Sequence, residues 1–365
     1  MGGTEVQVGV EPTTCGESGR RRHMPRRYLL SIDGGGIRGI IPAVALAKLE
    51  NTTGQLARDT FSFVAGTSTG AIIAAAIAAG IPATRIVDLY VNRASEVFTG
   101  LPLLNTLKRI IFGSMYSTQK LHDLIAEEIG PARDWSLNDS PVDLLITAKG
   151  VPNGKPWYFV KDNPANSRCT GRLGLVDCAT ASAAAPTYFQ PWSVDERLLP
   201  PDCGPVGELV DGGVGVAGNP VYQACVEAFF YTNDTNRYKP AETTTVSLGT
   251  GRSIVPKRMP TWIGSWLEWV LGELLESPGE QQTEITWRHF VKEPEADQRM
   301  IFYRIDTELK EDIDLDDVGS AGRLREYGER LAELIDWQAI LEGTDEEFRV
   351  DYGNKSFPQY AKQTI

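Results

Sequence analysis

Apolar residues occur along this chain in uninterrupted runs and in helical periods. Residues 28–32 form an apolar run typical of a strand buried on both faces, and four residues of turn chemistry then lead into an apolar helix over 37–49. Asn51 to Gly54 ends that helix. Residues 61–65 repeat the strand pattern. After a glycine-flanked turn, 71–79 is apolar on every side, so as a helix it must be buried, and Gly80 and Pro82 stop it. Residues 84–130 read as helical, with a looser apolar stretch at 98–112. Residues 143–148 and 157–160 are predicted strands joined across Pro152-Asn153-Gly154. A small-residue segment at 178–185 is closed by Pro186, and 208–210, 243–248 and 300–305 are further predicted strands. Strands alternating with helices predict an α/β fold with a mostly parallel sheet covered on both faces.

Composition narrows this picture. With 42% hydrophobic and 23% charged residues, the chain has the balance of a soluble globular protein, and 365 residues can build a sizeable core. The formal charge of -12 is concentrated at one end, because residues 306–365 hold 16 acidic and 7 basic side chains. That argues against nucleic acid as a partner. The arginines at 20–22 and 26–27 lie in a polar stretch, so residues 1–26 are expected to be a flexible tail. The apolar run after them is too short for a signal peptide, and no run of roughly 18 apolar residues predicts a membrane span. Five cysteines without CxxC spacing favour reduced thiols and a cytoplasmic setting. The expected organisation is a tail at 1–26, a catalytic domain at 27–305, and an acidic helical region at 306–365 packed on that domain.

The candidate chemistry starts at Gly66-Thr67-Ser68-Thr69-Gly70. GxSxG between a strand and a helix is the nucleophile-elbow arrangement, in which a sharp turn holds the serine hydroxyl clear of the sheet. The structural alternative is that Ser68 simply caps the following helix. A second motif, Asp33-Gly34-Gly35-Gly36-Ile37-Arg38-Gly39, also joins a strand to a helix. It contains the GxGxxG of dinucleotide sites, but Asp33 would set a carboxylate beside the pyrophosphate. In an acyl hydrolase the same amides can converge on an oxyanion. Arg38, a cation in the first helical turn, opposes the helix dipole and calls for a partner.

A serine hydroxyl needs a proton acceptor. Of the three histidines, His23, His122 and His289, only His289 fits the order Ser, Asp, His, with Asp211 between. The competing arrangement is Asp211, in Asp211-Gly212-Gly213, acting directly on Ser68. Its surroundings must then keep it ionised yet poorly solvated.

These motifs, with Ala181-Ser182-Ala183-Ala184-Ala185-Pro186-Thr187-Tyr188-Phe189, resemble the patatin-like phospholipase family in content and order. The resemblance covers about residues 27–220, weakens through 246–251 and fades after about 305. It implies a three-layer α/β/α fold with a Ser68 nucleophile and Asp211 as its base. It also implies an oxyanion hole of Gly34, Gly35, Gly36 and Arg38, with Gly39, Gly66, Gly70, Gly212 and Gly213 as the remaining motif glycines. Calcium-independent release of fatty acids from polar lipids follows from it, with no cofactor. The partners expected are a phospholipid or other acyl lipid and, through peripheral contact, a membrane or micelle surface. An acyltransferase, a Ser68-Asp211-His289 triad esterase and a non-catalytic signalling module on this fold are the alternatives.

Trp262, Trp266 and Trp269 share one helical face, for which core packing is the ordinary explanation and lipid contact the functional one. No His/Cys/carboxylate cluster has metal-ligand spacing. Residues 312–317 begin like a calcium loop, but Asp317 takes its glycine position and Arg323 its terminal glutamate position, so an exposed acidic segment is expected.

Overall fold

A computed structural model describes residues 27–98, 114–163, 169–203, 205–215, 217–232, 237–255 and 278–343, with isolated positions at 259, 261, 266, 269 and 273. The expected tail at 1–26, most of the loose apolar stretch at 98–112, Trp262 and residues from 344 onward lie outside these.

Eight strands form the main sheet. They are β1 (Arg27–Ile32), β2 (Phe63–Gly66), β3 (Asp143–Gly150), β4 (Pro156–Val160), β5 (Trp192–Ser193), β6 (Glu208–Asp211), β7 (Thr243–Leu248) and β9 (Ile301–Ile305). A parallel core runs β3-β2-β1-β7-β9, and β4, β5 and β6 join it antiparallel. Two short strands, β8 (Arg252–Ser253) and β10 (Glu308–Leu309), pair separately.

Successive strand residues point to opposite faces, and both faces are covered. Leu30, Ile32, Val64, Leu144 and Ile146 face one apolar core. Its helices are α1 (Ile40–Thr53), α2 (Thr69–Ala79), α3 (Thr118–Ile129) and α4 (Leu175–Ala183). Leu29, Phe63, Ala65 and Leu145 face a second core, closed by α5 (Val221–Val226) and α6 (Pro278–Trp287). This is a three-layer α/β/α architecture, and the largely apolar β1 follows from burial on both faces, while β7 is buried throughout although four of its six residues are threonine or serine. Helix α2 is buried nearly throughout, as its all-round apolar pattern requires.

Described residues 306–343 pack on the same core. Helix α7 (Ala321–Leu334) buries Leu324 and Leu331 in the first core, and Trp337 Nε1 donates to Ala45 O in α1 at 3.1 Å. Asp312 and Asp314 are exposed, but Ile313 between them is buried and Leu315 reaches the glycine loop, so the expected exposed acidic segment is only partly exposed.

The cysteine reading needs correction. Cys169 and Cys203 form a disulfide, with Cα atoms 6.1 Å apart, while Cys178 and Cys225 are free and buried. Folding brings together two loops separated by 34 residues, a contact that local spacing cannot announce. The cysteine argument for a cytoplasmic setting falls with it.

Arg304, next to last in β9, centres a buried ion cluster behind the glycine loop. Arg304 donates bidentately to Asp33 at 3.0 and 2.7 Å, to Asp306 at 3.0 Å and to Ser247 Oγ at 2.9 Å. All three charged groups are buried. Removing one partner strands a charge where water cannot reach it. Arg304→Met is therefore expected to lower unfolding free energy at pH 7.5 by about 3–5 kcal/mol in urea titrations, with a smaller loss at pH 5, where the abandoned carboxyls can take up protons.

Candidate active site

The geometry of the site follows from how β3 shares its edges. Strand β4 pairs with residues 145–149 of β3, which leaves the opposite edge to both β2 and β6. Strand β2 runs parallel and ends with Gly66 opposite Ile146, whereas β6 runs antiparallel and ends with Asp211 opposite Ala148. Their C-terminal ends thus meet head to head, two β3 positions or roughly 7 Å apart. Ser68 lies two residues beyond one end and Asp211 at the other.

Ser68 adopts φ 55° and ψ -123°, a rare conformation for a residue with a side chain. Its side chain makes no capping hydrogen bond, so helix capping does not explain the serine. The motif glycines allow the turn to close, since a Cβ on Gly66 would stand 2.1 Å from Gly70 O, and one on Gly70 2.2 Å from Ile32 O. The Ser68 amide donates to Ser182 Oγ at 2.9 Å. Next to it, Thr67 Oγ1 donates to Ala217 O at 2.5 Å and receives the Thr147 hydroxyl at 2.7 Å.

Asp211 is fully buried. Its amide donates to Ala184 O at 3.1 Å, and Oδ1 accepts the Gly213 amide at 2.7 Å. Oδ2 has no well-formed hydrogen bond among the described residues. Burial pushes the carboxyl up to about 6, opposed by the adjacent Ser68 hydroxyl and then by the Gly213 amide, both of which favour the ionised form.

The glycine loop differs from expectation at one donor. The Gly34 amide is engaged by Gly218 O at 2.8 Å, and Gly34 O accepts from Thr250 Oγ1 at 2.7 Å, so Gly34 serves as an anchor rather than a free donor. Among the described residues, the amides of Gly35 and Gly36 have no hydrogen-bond partner, nor does that of Thr69 at the start of α2. Gly36 sits at φ +56°, and a Cβ there would lie 2.2 Å from Leu315 O, which accepts the Ile37 amide at 2.8 Å. Arg38 is buried, and its Nε donates to Gly35 O at 3.4 Å, the kind of local partner its position called for. Gly39 closes the short helical turn before α1, and Gly212 lies against Thr147. Asp33 is held behind the loop by Arg304. Burial raises its carboxyl to about 6 although Arg304 pulls the other way.

Ser68, Asp211, Gly34 to Gly36 and Arg38 line one pocket of about 930 Å³, its open mouth included. The remaining wall is mainly apolar, with Ile72, Leu89, Val97, Leu124, Ile125 and Phe189 among its residues. None of the described histidines lines it. His289 is exposed and pairs through Nδ1 with the Tyr222 hydroxyl at 3.1 Å, and His122 stacks on Trp192. His23 lies outside the described residues.

Sequence reasoning missed Ser182, Thr67, Thr147, Leu315 and Arg304. Two carried a readable signal: Ser182 is the one hydroxyl within Ala181 to Ala185, and Arg304 is a charge inside an otherwise apolar strand. Trp266 and Trp269 also depart from the core-packing expectation, being 44% and 38% exposed with ring centroids 5.8 Å apart. No described helix is long and apolar enough to cross a membrane, and no described group of three or more His, Cys, Asp or Glu could hold a metal ion.

An elbow serine facing a buried aspartate on a three-layer α/β/α fold defines the class. Residues 30–225 match the model of the patatin-like phospholipase family, and the chain belongs to that family. It is 32% identical over 216 residues to a cGAMP-activated phospholipase of Escherichia coli (strain TW11681), covering 56% of each chain. It is also 32% identical over 220 residues to patatin-like protein 2 of Arabidopsis thaliana, covering 54% of this chain and 52% of the relative. The chain thus spans about half the length of these curated relatives. Among solved structures, VipD from Legionella pneumophila aligns with a TM-score of 0.37 at 12% identity over 85% of this chain and 67% of that one.

The Asp211 carboxyl also sets a pH dependence of stability. Because burial raises it, the folded state binds this proton more tightly than the unfolded state, and stability is lost as pH rises from the ordinary carboxylate range through about 6. A rise of that size corresponds to roughly 3 kcal/mol, part of which a buried asparagine amide would cost in turn. Asp211→Asn is expected to be more stable than the parent by about 1–2 kcal/mol at pH 8, with the two unfolding curves converging near pH 4.

Proposed function

We propose that this chain is a serine acyl hydrolase of polar lipids, of phospholipase A or lysophospholipase type, with Ser68 as nucleophile and Asp211 as its base. The observation that carries this reading is Asp211 Oδ2, a fully buried carboxylate oxygen without a well-formed hydrogen bond, beside the elbow serine at an apolar pocket. A buried carboxylate whose adjacent side-chain partner is the Ser68 hydroxyl fits a proton acceptor for that group. A carboxyl raised to about 6 remains mostly ionised at neutral pH while being a better base than an exposed aspartate.

In this mechanism an ester carbonyl enters with its acyl chain along the apolar wall and its oxygen toward the free amides of Gly35 and Gly36. Thr69 supplies a third amide at the α2 N-terminus, where the helix dipole favours negative charge. Ser68 Oγ attacks the carbonyl carbon while its proton passes to Asp211. Collapse of the tetrahedral intermediate breaks the ester bond, and the departing alkoxide takes that proton from Asp211 and leaves as an alcohol. Water then attacks the acyl-enzyme and gives a proton to the same carboxylate, which returns it to Ser68 Oγ as the fatty acid is released. Arg38 lines the same pocket and adds positive charge near the developing oxyanion. No step uses calcium.

The His289 triad is disfavoured by that residue's place at the surface with Tyr222. An acyltransferase would use the same acyl-enzyme with an alcohol or thiol in place of water, and product analysis with added acceptors separates the two.

The test is hydrolysis of fluorescent phospholipid and lysophospholipid by folded variants, with and without chelator, and with and without the cGAMP that names the bacterial relatives. Ser68→Ala and Asp211→Asn are expected to lose at least about a thousandfold in kcat, and His289→Ala to stay near the parent. The parent's kcat/KM is expected to fall as pH drops through about 6, where Asp211 gains its proton. An inactive His289→Ala beside an active Asp211→Asn would sink the dyad.

A further inference from the structure

We infer that Ser182 is a positioning residue that holds Ser68 in its attacking conformation, an inference that rests on the reading of Ser68 as nucleophile. The elbow creates a local problem. At φ 55° and ψ -123° the Ser68 amide is turned away from the helix that follows, and α2 offers it no acceptor. The preceding amide, Thr67 N, takes Ile32 O at 3.3 Å, so the parallel neighbour β1 is already used. A buried amide left without a partner costs about 1–3 kcal/mol, and the backbone conformation costs a similar amount. Both costs would be relieved if Ser68 relaxed, which would move its hydroxyl.

Ser182 removes that escape. It is fully buried in the last turn of α4, and its Oγ accepts the Ser68 amide at 2.9 Å across 114 residues of chain. The contact needs two helices in close approach, and their composition permits it. Helix α2 carries Ala71, Ala74, Ala75 and Ala78 along one face, and α4 carries Ala179 one turn before Ser182, all buried in the same core. Small side chains at a helix contact shorten the distance between axes, so a side chain as short as serine can span the gap.

The same turn also holds the other partner. Two residues on, Ala184 O accepts the Asp211 amide at 3.1 Å. One short segment, 182–184, therefore grips Ser68 by its amide and Asp211 by its amide, and its rigidity fixes their separation. Ser182 touches neither substrate nor the reacting oxygen, and its effect passes through the backbone of Ser68.

The experiment uses the full chain and compares Ser182→Ala, Ser182→Cys and Ser182→Thr with the parent. Ser182→Ala removes the acceptor at almost constant volume, Ser182→Cys leaves only a weak acceptor, and Ser182→Thr keeps the hydroxyl. Thermal unfolding, kcat, KM, the pH profile and the rate of Ser68 labelling by a fluorophosphonate are measured together. In folded Ser182→Ala, kcat is expected to fall about tenfold to a hundredfold with KM within twofold. Labelling should slow by the same factor while the pH inflection near 6 stays in place. Ser182→Thr should recover most of the loss, and Ser182→Cys should fall between. Where Ser182→Ala does not fold, the Cys and Thr pair decides.

The inference is overturned if kcat and labelling of Ser182→Ala, or of Ser182→Cys where that pair decides, remain within threefold of the parent. It is also overturned if Ser182→Thr is as impaired as Ser182→Cys, or if the losses only track the unfolded fraction. Failure of the underlying reading shows elsewhere, in a parent chain labelled at another serine or an active Ser68→Ala, and removes the inference with it.

Discussion

A strand has two edges, and on β3 one of them is shared. Strand β4 fills the far edge, so β2 and β6 divide the near one, entering from opposite directions and stopping two positions apart. Neither can lengthen without colliding with the other, and the chain leaving each must turn sharply at the same spot. The positive φ of Ser68, the packing of Gly212 against Thr147 and the burial of Asp211 all follow from that collision. In a sheet made only of parallel strands, the carboxyl-terminal ends would lie side by side. The antiparallel β6 makes two of them face each other.

Hydrogen bonds then join the loops that leave this point. The chain after Asp211 offers Ala217 O to Thr67 and Gly218 O to Gly34, connecting the elbow to the glycine loop through consecutive carbonyls. Behind the glycine loop, Arg304 neutralises Asp33, and in front of it Leu315 O receives the Ile37 amide. The Gly35 and Gly36 amides stay unbonded because their neighbours on both sides are tied down. In the proposed mechanism these amides are the oxyanion donors, and donors fixed in advance need no reorganisation during the reaction.

The fold was largely legible wherever burial was two-sided. Strand β1 announces itself as a largely apolar run, β7 through its β-branched threonines and valine, and α2 as a helix without a polar face. The two-residue strands β5, β8 and β10 leave no such trace, because pairing rather than composition defines them. Ser68 and Asp211 were readable as candidates because each sits in a local turn motif. The commitment of Gly34 was not, since it depends on Gly218, about half the chain away. The same holds for the Cys169–Cys203 bond and for Leu315, whose part in the site depends on a backbone carbonyl that any residue type could supply.

That last contact bears on how the molecule is made. Synthesis delivers the glycine loop and the elbow, residues 33–70, more than 230 residues before Arg304 and Leu315. Until then Asp33 has no counter-charge, the Ile37 amide has no acceptor, and β7 lacks its outer neighbour β9. A partly translated chain therefore carries every motif residue of the site in unlocked form. Locking of the glycine loop thus waits for β9 and the segment that follows it, as far as Leu315.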